Sequence, residues 1–312
     1  MRNVLLDNIS VGPLQKVFAA LKVGELPDNS DVLVPIIIIR GKKGPTLTVT
    51  AAIHGDEVNG SEVCYQLAQK LEPEHIKGTL ILLPICNPLA FNDRVRKTPL
   101  DGLDLNRCFP GKLNDSITYQ IAYALFNSVI KKSNYIIDFH SGGFKFRLAP
   151  HVRVDPSNLD AINMAKAFGL KFIIQRKGIF TLLATARKEF KIPGICVEIG
   201  EGNRLEREYV NAGVQGVLNV MIYLNMIEGN LKKTSHQILL NDRWYVRSTN
   251  GGLLISLKEE GEEVKKNEVV AEIHNLYSKT PVFLRSPVNG YVIGIRKNPQ
   301  LSTGEGTILI YS

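Results

Sequence analysis

The apolar period of this chain alternates between two values and then settles on one. "VLVPIIII" (32–39) and "PTLTVTAAI" (45–53) are β-branched runs of strand length, separated by the turn-like "RGKKG". "NGSEVCYQLAQKL" (59–71) spaces its apolar residues near 3.6, as a helix does, and "GTLILLPIC" (78–86) is again a buried strand. "SITYQIAYALFNSVIKK" (116–132) predicts an amphipathic helix capped by Asp115 or Ser116. "SNYIIDFHSGG" (133–143) predicts a strand ending in a glycine turn, and "NLDAINMAKAFG", "LKFIIQ" and "GICVEIG" continue the alternation. A helix over 206–227 closes it. Strands that alternate with helices restrict this part to an α/β domain with a largely parallel or mixed sheet. From about Trp244 the helical period disappears. "YVRS", "GGLLISL", "EVVAEI", "PVFLRS", "GYVIGI" and "GTILIY" follow one another with turn residues between them, as in a small barrel or sandwich. We therefore divide the chain into residues 1–238 and 239–312.

At 312 residues and 44% hydrophobic, the chain can bury a large core, which excludes a disordered class. The net charge of +8 is scattered in short pairs such as Lys131-Lys132, so it predicts an anionic small substrate and no nucleic-acid partner. The longest apolar run is too short to span a bilayer, and the first residues lack the apolar segment of a signal peptide, so the expected location is cytoplasmic with no membrane contact. Four scattered cysteines, with no CxxC pair, fit reduced thiols in that compartment. A homo-oligomer is compatible with the sequence.

"AAIHGDEVNG" (51–60) places His54, Asp56 and Glu57 within four residues. If Gly55 lets the chain turn sharply, His54 and Glu57 can face one ion while Asp56 points away. A catalytic zinc takes three protein ligands, so a third must come from elsewhere. His140 ends an apolar strand, where open α/β sheets place their sites. Asp138 shares its strand face and could orient a ligand. "DGLDLNRCFPG" (101–111) offers Asn106 and Arg107 to a carboxylate, with Arg96 upstream. Glu198 ends another apolar strand, where it could serve as a general base. Each has a plainer reading too. HxxE arises by chance, His140 could be an ordinary satisfied polar group, Arg107 could sit in a surface ion pair, and Glu198 could be buried against an arginine. Arg147, His151 and Arg153 in "FKFRLAPHVRVD", read as loop, could meet an anionic acyl group or be surface charges.

The ordered set HGDE, DLNR-x-FPG, DFHSG and VEIG resembles the succinylglutamate desuccinylase/aspartoacylase family over residues 10–230. The resemblance implies a zinc carboxypeptidase-like α/β fold with a mixed sheet flanked by helices. It implies one Zn²⁺ per chain on His54, Glu57 and His140, with Glu198 as catalytic glutamate. Asn106 and Arg107 match the pair that holds the substrate carboxylate. Arg96 matches the arginine that polarises the scissile carbonyl, although neighbouring Arg94 could take that role. The implied enzyme is a zinc-dependent amidohydrolase acting on a small anionic N-acyl amino acid. A peptide-cleaving zinc carboxypeptidase and a non-catalytic binding protein are the alternatives. The trailing region resembles a lipoyl/biotinyl barrel-sandwich. Lys279 holds the carrier position, but its neighbours match neither carrier motif, so a non-carrier domain is expected.

Overall fold

The computed structural model describes residues 3–7, 9–177 and 181–312. A ribbon of β1 (Val4–Leu6) and β2 (Ile9–Val11) precedes β3 (Gln15–Glu25), β4 (Asp31–Arg40) and β5 (Lys42–Thr50). Then come α1 (Asn59–Lys70), β6 (Lys77–Leu83), α2 (Pro88–Asn92), α3 (Ile117–Ser128), β7 (Tyr135–His140) and β8 (Phe146–Val154). The alternating part ends with α4 (Leu159–Phe168), β9 (Phe172–Gln175), α5 (Leu182–Phe190), β10 (Gly194–Gly200) and α6 (Arg207–Tyr223). The remainder is β: β11 (Ile238–Leu240), β12 (Arg243–Arg247), β13 (Gly252–Ser256), β14 (Glu263–Val264), β15 (Val269–His274), β16 (Val282–Arg285), β17 (Gly290–Arg296), β18 (Gln300–Leu301) and β19 (Gly306–Tyr311).

The main sheet runs β12-β19-β17-β8-β10-β7-β5-β6-β4-β3, and a second, antiparallel sheet runs β16-β15-β13-β18. β10, β7, β5 and β6 are parallel neighbours, with β8 and β4 antiparallel on either side. This is the expected α/β architecture, a mixed sheet flanked by helices. The expected RGKKG hairpin is not formed. β6 lies between β4 and β5, because the parallel strand returning from α1 pairs with both.

Both faces of the central strands are apolar, and the period of two sorts their side chains. Ile37, Ile39, Leu80, Leu82 and Ile137 pack with α1, α4 and α6, whereas Ile36, Ile38, Ile81, Leu83 and Ile136 pack with α3 and α5. This explains why the strands read as continuous apolar runs. The start of α3 departs from expectation. Ser116 holds the cap position without a side-chain cap bond, and Asp101 reaches in from the preceding loop to accept from Thr118 N at 3.0 Å and Thr118 Oγ1 at 2.6 Å. The stretch "FKFRLAPHVRVD", expected as loop, forms β8.

The trailing strands bury a cluster of their own, including Val246, Leu254, Ile273 and Ile308. A second cluster, with Leu148, Phe172, Ile293, Leu309 and Tyr311, joins them to β8 and β9. β17 pairs directly with β8, Gly294 opposite Leu148, so the main sheet passes from one region to the other without a break. Lys279 is exposed on the connection between β15 and β16. Among the described residues no helix is long and apolar enough to cross a membrane.

Candidate metal centre and its pocket

The C-terminal ends of β5, β7 and β10 meet at one edge of the sheet. β5 ends at Thr50, and the following turn carries His54 and Glu57 inward, both buried. The sharp turn expected at Gly55 has its left-handed residue at Ala52 (φ 47°). Gly55 answers a different constraint. A Cβ there would lie 2.0 Å from the carbonyl carbon of Ala90, so the backbones approach too closely for any side chain. β7 delivers His140, and β10 sets Glu198 beside it in register.

His54, Glu57 and His140 converge. The two imidazoles approach at Nδ1, 3.2 Å apart, and Glu57 contacts both, His54 Nδ1 at 3.0 Å and His140 Nδ1 at 2.8 Å. The opposite ring nitrogens are each engaged by a carboxylate. His54 Nε2 lies 3.1 Å from Asp104 Oδ1, and His140 Nε2 lies 2.9 Å from Asp138 Oδ2. A carboxylate faces both nitrogens of each ring; with a cation on the Glu57 side, each neutral imidazole would carry its proton on Nε2 and donate it to Asp104 or Asp138. Each Nδ1 lone pair then points at the space shared with Glu57, and such a convergence of two lone pairs and a carboxylate suits a cation. One ligand atom from each residue lies within 4.8 Å of the others, and the N,N,O donor set fits a divalent transition metal such as zinc.

Electrostatics agree with geometry. Burial alone would lower the basicity of His54, but Glu57 and Asp104 outweigh it and hold the imidazole above its usual range. Burial likewise opposes charge on His140, and Asp138, with Glu57, raises it well above normal. Burial would push Glu57 up, and the two histidines hold it below the ordinary carboxylate range. The same negative field favours a metal cation.

Arg96 reaches this cluster, with Nη1 3.3 Å from Glu57 Oε1 and Nη2 3.1 Å from Asp104 Oδ2. Arg94 is exposed and is not among the residues that line the pocket; its carbonyl accepts from Asn203 Nδ2. Asn106 and Arg107 lie in a short 3-10 turn that Asp104 caps, accepting from Asn106 N at 2.9 Å. Asn106 is buried, its Nδ2 lies 3.4 Å from His140 Nε2, and its Oδ1 accepts from Leu182 N. Arg107 is exposed and donates one bond to the Asn106 carbonyl. Glu198 is buried; its Oε1 meets Arg153 Nη1 at 2.9 Å, while Oε2 has no hydrogen-bond partner among the described residues. Arg147 leaves the site and pairs with Glu206 and Glu260. His151 is fully buried.

His54, Glu57, Arg96, Asn106, Arg107, His140 and Glu198 line a cavity of about 620 Å³. Its walls also carry Arg153, Arg176, Lys177, Arg187 and Arg243, so cations crowd the space outside the histidine cluster. Arg243, Tyr245, Leu309 and Tyr311 come from the trailing strands, which therefore shape the pocket. Sequence reasoning missed Asp104 as the partner of His54. Its place two residues before Asn106, in a motif already singled out, was the available signal.

A mixed α/β sheet with two histidines and a glutamate gathered at the ends of its parallel strands is the architecture of the zinc carboxypeptidase-like class. Within that class, the succinylglutamate desuccinylase/aspartoacylase catalytic domain matches residues 43–224, and the chain belongs to that family. It is 28% identical to the N-alpha-acetyl-L-2,4-diaminobutyric acid deacetylase of Halomonas elongata over 308 residues, 92% of this chain and 89% of that protein. Its structure superimposes on a succinylglutamate desuccinylase/aspartoacylase from Rhodobacter sphaeroides with a TM-score of 0.86 and 25% identity, covering 96% of this chain and 95% of the other. The product-bound ectoine utilization protein EutE (DoeB) from Ruegeria pomeroyi shares the fold, with a TM-score of 0.85, 24% identity and coverage of 95% and 94%.

Proposed function

We propose that this chain is a zinc-dependent hydrolase that cleaves the amide bond of a small, carboxylate-bearing N-acyl amino acid. Membership of the family supports amide-bond hydrolysis. The observation that carries the mechanism is buried Glu198, in register with His140 and with one carboxylate oxygen unpartnered. One zinc per chain on His54, Glu57 and His140 would polarise the scissile carbonyl and acidify water. Glu198 Oε2 takes the proton of the attacking water and returns it to the departing amine. Arg96, beside Glu57, neutralises charge developing on the carbonyl oxygen. Arg107 has donors left for the substrate carboxylate, and Asn106 holds the turn that presents it.

In this reading residues 1–238 form the catalytic domain. Residues 239–312 form a non-carrier barrel-sandwich domain that walls the pocket, which Tyr245 and Tyr311 support. The cytoplasm is the compartment we propose, on the strength of four free cysteines.

The test pairs metal analysis with a substrate panel of N-acetyl-L-2,4-diaminobutyrate, N-acetyl-L-aspartate, N-succinyl-L-glutamate and short peptides. The expected outcome is one zinc per chain, turnover of an N-acyl amino acid, and loss of turnover in Glu198→Gln with zinc retained. Full activity in that variant would sink the mechanism. Preference for peptides would make the chain a carboxypeptidase, and protein without stoichiometric zinc would make it a binding protein.

A further inference from the structure

We infer that Arg153 is a positioning residue that clamps Oε1 of Glu198 and so leaves Oε2 as the single oxygen turned to the reaction. The inference rests on Glu198 acting as the base. Its foundation is a row of side chains across three strands. Asp138 on β7 stands opposite Cys196 on β10, which stands opposite Arg153 on β8. One step along, His140 stands opposite Glu198, which stands opposite His151. Alternation along each strand puts all six on one face, the other being filled by Ile137, Val152 and Val197. Arg153 therefore reaches Glu198 on the diagonal, and its Nη1 makes the 2.9 Å contact.

Arg153 is itself held. Its Nε donates to His151 Nε2 at 3.3 Å, and His151 Nδ1 donates to the Ala149 carbonyl at 2.8 Å. Burial, then the neighbouring guanidinium, push the His151 imidazole down to about 3, which keeps it neutral and able to accept on Nε2. A carbonyl, a neutral imidazole and a guanidinium thus form a chain whose last member grips one carboxylate oxygen. A free carboxylate on a short stem would rotate between orientations. Here Oε1 is engaged by Arg153 Nη1 and, at 3.8 Å, by Cys196 Sγ, while Oε2 has no hydrogen-bond partner among the described residues. The arginine that the sequence left between an acyl-group contact and a surface charge is assigned a third role.

The experiment compares zinc-loaded wild type with Arg153→Ala, Arg153→Lys and Glu198→Gln, using N-acetyl-L-2,4-diaminobutyrate as substrate and crystal structures as a second readout. Loss of the clamp should lower kcat of Arg153→Ala on the order of 10–100-fold with KM within about threefold. Arg153→Lys, or added guanidinium with Arg153→Ala, should restore part of it. In crystals of Arg153→Ala the Glu198 carboxylate should leave its wild-type orientation. A raised KM with unchanged kcat would instead make Arg153 a substrate contact and overturn the inference. So would an unmoved Glu198 in Arg153→Ala, or in Arg153→Met should the alanine variant not fold, a result that stands even if this substrate is not turned over. Activity in Glu198→Gln would overturn the underlying reading and leave the Arg153 geometry to be judged by the crystals alone.

Discussion

Asp56 and Glu57 are adjacent buried carboxylates, yet their surroundings separate them. Glu57 meets two imidazoles, Arg96 and the backbone N–H of Ser141, whereas both oxygens of Asp56 lack hydrogen-bond partners among the described residues. Glu57→Gln should therefore weaken zinc binding strongly and Asp56→Asn should leave the metal in place. Asp138 and Asp104 act through the rings they hold. Asn at either position cannot fix the Nε2–H tautomer as a carboxylate does, so each variant should lose on the order of 10–100-fold in zinc affinity. Competition with a chromophoric chelator reads all four; retained affinity in Asp138→Asn would show that its contact with His140 is idle.

At the scale of elements, α3 is tied to the site's own loop. Asp101, in the same segment as Asn106 and Arg107, takes the hydrogen bonds that a local cap would supply. Asp101→Ala should cost about 1 kcal/mol of stability at pH 7, measured as a shift in the urea midpoint. Burial disfavours the ionised carboxyl, but the bonds from Thr118 outweigh it, and its pKa in the folded protein lies below the ordinary value. Its stabilisation is thus present above about pH 4, the unfolded range, and lost as pH falls through the folded value. The gap between wild type and variant should narrow on acidification; a constant gap would refute the role given to the carboxylate. The helix itself was legible from its 3.6 period. Its cap was not, since a contact between Asp101 and Thr118 depends on the path of the intervening loop.

At the scale of the whole molecule, a metal held by these residues would be coupled to the fold. The candidate ligands come from two segments, the 51–60 turn and β7, that the sheet must first bring together. An ion bound by the folded chain alone stabilises it by mass action, about 2.7 kcal/mol at a free concentration 100-fold above Kd. Calorimetry should show Tm rising on addition of zinc to chelator-treated protein and no such rise in Glu57→Gln. The continuous pairing of β17 with β8 predicts that the trailing strands melt in the same transition, and a separate low-temperature transition for them would contradict this.

The alternation of strand-like and helix-like segments, read residue by residue, determined the α/β class and the switch to β structure near Trp244. Those properties are local: a strand's period of two and a helix's of 3.6 are written in neighbouring residues. The order of HGDE, DLNR, DFHSG and VEIG likewise singled out His54, Glu57, His140 and Glu198. Tertiary structure alone decided that Arg96 faces the cluster while Arg94 does not, that Asp104 orients His54, and that Arg153 holds Glu198. These facts depend on the register between strands far apart in the chain and on the course of loops between them. A one-residue slip would turn every such side chain to the opposite face, and no local pattern records which register the packed sheet adopts.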